Sequence, residues 1–231
     1  IIEKENEIII GKGSVIAKDT EGRLIYADKI TYQKSKEIIL AEGNVKIQDN
    51  TGNILNTDKA TYDKLNEKIV TYSNTEFILK EGYKLFSKNI LYNIKEKILL
   101  SENKSIFSDV DRNIIETSMF RYDVTNNLFT SVGKIKVSDS KNNKYNFKEI
   151  YIDTKKKEMI GSNISVVLDE KNFGLNEKND PRFVANNVLL RKDKTILSKG
   201  VFTVCQKRED KCPPWSIKAK KITHDKTKKN I

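Results

Sequence analysis

The side chains best equipped for chemistry are few. One histidine, His224, two cysteines, Cys205 and Cys212, and a column of acids, Asp19, Asp49, Asp109, Asp139 and Asp169, are the candidates. Zinc needs clustered Cys and His ligands, and two lone cysteines seven residues apart do not supply them. Calcium needs several oxygen ligands in one loop, whereas these acids stand singly at multiples of thirty residues and read as turn formers. There is no Gly-x-Ser-x-Gly, phosphate loop or HExxH, and the acids fall at turns and strand ends rather than in convergent pairs. The expectation is a protein that is not an enzyme and uses no cofactor or metal. A disulfide between the cysteines stays open.

The elements that must position these residues follow from an internal repeat. Tyr32, Tyr62, Tyr92 and Tyr122 stand thirty residues apart, and Ile152 takes the next place. A second marker keeps the same period at Gly13-Ser14-Val15, Gly43-Asn44-Val45, Ser73-Asn74-Thr75, Asn103-Lys104-Ser105 and Gly133-Lys134-Ile135. The Asp column runs with them and is broken only at Leu79. His224 occupies the register of the repeat's Tyr, so it reads as framework rather than as a base. A polar insertion at 170–181 interrupts the period, which then resumes to give six units and most of a seventh.

Within a unit the apolar period is two, as in Ile39, Ala41, Gly43, Val45 and Ile47, which is the alternation of a half-buried strand. Turn pairs such as Glu21-Gly22 and Thr51-Gly52 separate the strands. The odd step from Ala27 to Ile30 implies a bulge or corner at Asp28-Lys29. An all-β chain of about a dozen strands with almost no helix is expected. Small residues recur mid-strand, as in Ala41/Gly43, Thr71/Ser73, Ser101/Asn103 and Gly161/Asn163. They leave space that an acyl chain could fill, or they mark a sharp bend.

The 231 residues carry a formal net charge of +11 with 37% hydrophobic residues, enough to fold. Residues 207–231 hold nine basic against three acidic side chains, over half of the total charge. Lysines on strand faces and tyrosines at a repeat position do not make a nucleic-acid surface. No apolar run approaches the roughly 18 residues of a membrane-spanning helix. The chain reads as a portion of a longer protein.

The units, with Ala27-Asp28-Lys29-Ile30-Thr31-Tyr32 and Ala41-Glu42-Gly43-Asn44-Val45-Lys46-Ile47, resemble the OstA-like repeats of the lipopolysaccharide transport proteins. The final segment narrows the resemblance. Phe202 to Cys205, Cys212-Pro213-Pro214-Trp215-Ser216-Ile217-Lys218-Ala219 and Ile222-Thr223-His224-Asp225 resemble the stretch that joins the N-terminal domain of the LptD branch to its outer-membrane barrel. The resemblance implies a repeat-built, mainly antiparallel β-jellyroll, V-shaped in section, on the periplasmic side of the outer membrane. Its interior would shield the acyl chains of lipopolysaccharide, received from an LptA bridge by β-augmentation and passed to the barrel and its partner LptE.

On that reading residues 1–204 are the jellyroll and 205–231 the last repeat and linker. The groove would be lined by Ile39, Val45, Ile47, Ile69, Phe77, Leu99, Phe107, Phe129, Ile135, Val137, Val167 and Phe202. Pro213, Pro214 and Trp215 would form the hinge. Cys205 matches a family cysteine that pairs outside this segment, while a local Cys205–Cys212 bridge is its rival, and both stay open. Two alternatives stand beside the conduit. One is a β-helix rod or adhesin of parallel coils packed by its own side chains. The other is an LptA-type bridge, opposed by the segment from Cys205 to Asp225.

Overall fold

The structure, a computed structural model, describes residues 2–5, 7–168, 179–206 and 213–225. Its strands run in chain order as β1 (Ile2–Glu5), β2 (Ile8–Lys18), β3 (Leu24–Gln33), β4 (Ile38–Gln48), β5 (Ile54–Asp63), β6 (Lys68–Thr71), β7 (Asn74–Ile78), β8 (Lys84–Lys88), β9 (Leu91–Asn93) and β10 (Ile98–Ser101). They continue as β11 (Ser105–Ser108), β12 (Ile114–Thr117), β13 (Phe120–Asp123), β14 (Leu128–Ser138), β15 (Lys144–Asp153), β16 (Glu158–Val167), β17 (Arg182–Leu190), β18 (Lys194–Thr203) and β19 (Ile217–Asp225). A 3-10 turn at Lys34–Lys36 is the one helical element among the described residues.

The fold is the expected all-β, repeat-built antiparallel jellyroll, formed as a meander in which each strand pairs with the next. Antiparallel order excludes the stacked parallel coils of a β-helix. The middle units break each long strand into two short ones, at Tyr72-Ser73, Asn89-Ile90, Glu102 to Lys104 and Ser118-Met119, so there are more strand segments than the repeat count suggests. The chain forms two compact units, one of Ile1–Asp109 with Met119–Thr125, the other of Val110–Ser118 with Asn126–Ile231.

The thirty-residue period is built from two kinds of turn. At one end Glu7, Glu37, Glu67, Lys97, Asn127 and Lys157 adopt left-handed backbone, with φ between 51° and 62°. The carbonyls of the first five accept the N–H groups of Lys34, Lys64, Ile94, Val124 and Thr154 at 2.9–3.0 Å. Each turn thus holds the next one of the same end. At the other end the Asp column does the work of a turn residue, as its spacing suggested. Asp49 Oδ1 accepts the N–H groups of Thr51 and Asn53, both at 2.9 Å, and its Oδ2 accepts Asn53 Nδ2 at 2.8 Å. Asp139 repeats this with Lys141 and Asn143. Asp19 does so with Glu21 and Arg23, using an ion pair to the Arg23 guanidinium.

Leu79 keeps the backbone of this turn, its N–H donating to the Tyr83 carbonyl at 2.9 Å, but replaces the polar staple with an apolar one. Leu79 and Tyr83 are each 4% exposed, and the Tyr83 ring stacks on Phe107 at 5.3 Å between centroids.

Mid-strand, a bulge turns β2, β4 and β14. The register shift between Tyr26 and Lys29 falls where the sequence placed it. The extra residue comes from β4, where Gly43 (φ +75°) and Asn44 (φ +46°) take left-handed backbone opposite β3. Gly13-Ser14 in β2 and Gly133 in β14 play the same part.

Candidate lipid groove

In the first unit the inner face carries two apolar rows that run across the strands. One row alternates tyrosine with aliphatic residues: Tyr32, Ile39, Tyr62, Ile69, Tyr92, Leu99 and Tyr122 stand opposite one another in successive strands. The thirty-residue tyrosine spacing is this row seen in one dimension, since each pair of strands adds one tyrosine and one aliphatic neighbour. The other row comprises Ile25, Ile47, Leu55, Phe77, Leu85 and Phe107. Arg23, beside the second row, donates from its guanidinium to the Tyr62 hydroxyl of the first at 3.3 Å, so the two rows face each other across the interior of this unit. Burial holds the phenols of Tyr62 and Tyr92 above their ordinary range.

Between the rows, at the strand bends, lies a spine of buried hydroxyls. Thr75 Oγ1 lies 2.8 Å from Thr71 Oγ1 and 3.1 Å from Thr57 Oγ1, so the three hydroxyls form one hydrogen-bonded group. Ser87 bonds Ser101 at 3.0 Å and Ser105 at 2.8 Å. The spine also serves the backbone where a strand is broken: Thr71 Oγ1 accepts the Ile90 N–H at 2.9 Å, and Ser101 Oγ donates to the Lys88 carbonyl at 2.8 Å. Buried polar groups require partners, and short hydroxyl side chains supply them in a corner with little room. The recurring Thr and Ser were visible in the sequence as small residues, but their hydrogen-bonding role was not read. A further signal missed there is the partner four residues after Asp19, Asp49 and Asp139, namely Arg23, Asn53 and Asn143, with Tyr83 after Leu79.

In the second unit Phe129, Ile152, Met159 and Leu190 form one row, and Val137, Tyr145, Val166, Phe183 and Phe202 another. The Tyr145 hydroxyl donates to Asp139 Oδ2 at 2.8 Å, and burial, then this bond, pushes its phenol far above the usual tyrosine range.

Of the expected lining residues, Val45, Ile47, Ile69, Phe77, Leu99, Phe107, Phe129, Ile135 and Val137 are buried on the inner face, while Ile39 and Phe202 are half-buried there. Val167 is 50% exposed and lies opposite Lys144 and Arg182, on the other face from Val166. The reason is local. In β16 only Asn163 takes positive φ and no register shift occurs, so the extra residue of earlier units is missing and the inward parity passes to Ile164 and Val166. The small mid-strand positions divide. Gly43 and Gly133 serve bulges, whereas a Cβ on Gly161 would lie 2.5 Å from the Phe147 ring and one on Gly200 2.8 Å from Ile222. The space above the latter two is already filled by the chain itself.

Around Cys205 the backbone is fixed from three sides. Its N–H donates to Thr203 Oγ1 at 3.1 Å, Thr203 Oγ1 donates to the Trp215 carbonyl at 2.9 Å, and its own carbonyl accepts from the Arg182 guanidinium. Trp215 is 46% exposed, so its ring is not a core residue of the last unit. Pro213 is half-buried and Pro214 exposed. Cys212, the basic run after Asp225, most of the 170–181 insertion and the His224 side chain lie outside the described residues.

No helix among the described residues is long and apolar enough to cross a membrane. No group of His, Cys, Asp and Glu among them could hold a metal ion. No family model matches the sequence, and no curated protein matches it. Among solved structures the chain is similar to LptH. That protein is described as the LptA homologous periplasmic component of the conserved lipopolysaccharide transport device from Pseudomonas aeruginosa. Identity is 15%, the match covers 64% of this chain and 96% of that one, and the TM-score is 0.29. A likeness at that distance carries no argument about function.

Proposed function

We propose that the chain is a non-enzymatic lipid conduit, a periplasmic module of lipopolysaccharide assembly whose inner face holds acyl chains away from water. The observation that carries this is the pair of facing apolar rows, which continue from strand to strand in the first unit, with the Arg23 guanidinium reaching between them to Tyr62. Burying one CH₂ stabilises by about 0.8 kcal/mol, so a chain of about a dozen methylenes gains on the order of 10 kcal/mol from a continuous apolar path. Because the rows are buried against each other, a lipid enters by separating them and exchanging side-chain contacts for acyl contacts. That exchange is close to neutral in apolar area.

The finer reading is the N-terminal domain of an LptD-type assembly protein. Its support is the terminal segment, which extends the second unit by one full strand, β19, paired along β18. On this reading an LptA-type module supplies lipopolysaccharide by strand addition, and a barrel with LptE receives it. Amphipathic strands encoded beyond Ile231 are expected, and a stop codon there would leave the LptA-type bridge instead.

Photo-crosslinking tests the conduit. Probes at Val45, Phe77, Phe107 and Ile135 should label lipopolysaccharide, whereas probes at outward Lys46 and Lys136 should not. Equal labelling from both faces would sink the reading.

A further inference from the structure

The first unit carries a groove of about 890 Å³ lined mainly by outward side chains, with Val45, Thr57, Thr75 and Ser87 reaching it at the strand bends. Its floor is a single row fixed by strand register: Lys46 on β4, Asn56 on β5, Glu76 on β7, Phe86 on β8 and Ile106 on β11 stand opposite one another in turn. Four strand spacings of about 4.8 Å make the row roughly 19 Å long. These side chains alternate along their strands with inner-row residues, so none belongs to the lipid path.

The row is graded in chemistry. At one end the Lys46 ammonium is held over the Tyr26 ring, 5.7 Å from its centroid. In the centre Asn56 Nδ2 donates to Glu76 Oε2 at 3.2 Å, a polar pair with the Asn56 carbonyl still able to accept. At the other end Phe86 and Ile106 are 42% and 38% exposed and offer an apolar floor. Lys88 and Lys104 stand on the wall.

We infer that this groove binds a linear acidic oligosaccharide. A pyranose ring presents an apolar C–H face to an aromatic ring and equatorial hydroxyls to an amide and carboxylate pair, and this row offers both within one groove. The volume falls in the range of small-ligand sites, in which a few placed polar groups set orientation. Peptide capture by strand addition is excluded at the floor, because β5, β7 and β8 each already pair on both sides. A nucleic acid needs a run of cations to replace its counterions, and the lining sets three lysines against Asp58 and Glu76. Glu76 is itself partnered by Lys84 at 3.7 Å, which leaves a modest positive balance suited to carboxylate-bearing sugars.

Calorimetric titration of the 231-residue chain with a galacturonate hexasaccharide, chitohexaose and a ten-nucleotide oligothymidylate tests this. Saturable binding of the galacturonate is expected, at least ten-fold tighter than chitohexaose, with the oligothymidylate weaker still. Phe86→Ala and Asn56→Ala should each weaken it at least ten-fold, and Lys88→Ala about three-fold with a shallower salt dependence. Far-UV circular dichroism and lipid crosslinking from Phe77 should stay unchanged in all three variants. The proposal is overturned by an absence of saturable sugar binding, by binding that Phe86→Ala leaves intact, or by preference for the neutral sugar or the oligonucleotide.

Discussion

Leu79 and Tyr83 stand where the other described end turns place an acid and a polar partner, and the pair behaves as one unit. Leu79→Asp would bury a carboxylate beside the Tyr83 ring with no side-chain donor, a loss of about 3 kcal/mol or more. Adding Tyr83→Asn restores the Asp49-type staple, at the cost of a ring stack worth about 1 kcal/mol. Urea denaturation should therefore find the double variant more stable than Leu79→Asp alone. Tyr145 gives a second expectation. Its folded-state pKa is raised, so its contribution to stability is complete below the unfolded value and is lost as pH climbs through and above it. Phenolate absorbance should show Tyr145, together with Tyr62 and Tyr92, staying neutral while exposed tyrosines ionise, and the melting temperature should fall above about pH 10. Tyr145→Phe removes the hydroxyl and should flatten that fall.

Bulges are the element on which the face of every later residue depends. Gly43 is the most constrained: beyond its positive φ, a Cβ there would lie 2.5 Å from Asp28 Oδ2 and 2.9 Å from Asp28 Cβ. Gly43→Ala should cost on the order of 1–3 kcal/mol. Gly22→Ala, with open space around it, should cost only the left-handed penalty of about 1–2 kcal/mol, so equal losses in denaturation curves would contradict the steric part. The same element marks how far the sequence could be read. Strand, turn and inward parity were legible from side-chain type through Val137, because alternation and the Asp and Tyr columns are chemical patterns. Val167 was misplaced because an extra residue at a bulge is a matter of backbone φ, and Asn163 looks like Asn44 or Asn103 on paper. The outer row from Lys46 to Ile106 was not legible at all, since it exists only once strand register joins residues up to sixty positions apart.

At the scale of the whole molecule, coupling runs from each pair of strands to the next, as in other repeat proteins. Removing one period, Ile38–Glu67, would join Glu37 to Lys68, so that the left-handed turn meets an equivalent and the Leu79–Tyr83 staple takes the place of the Asp49 one. The shortened chain should fold with an unchanged β-type circular dichroism spectrum and a cooperative melt. Removing twenty-nine residues instead should give an unfolded or aggregated product, because one residue of slip exchanges inward for outward faces.

The ladder in which each left-handed turn accepts the N–H twenty-seven residues on has a consequence for how such a protein can lengthen. It is a ruler with a single graduation. Two strands, about 10 Å across the sheet, are the smallest increment that keeps faces and staples in step. The length of such a sheet is then set by counting whole units, and an added segment that is not a whole unit puts every later face and staple out of step.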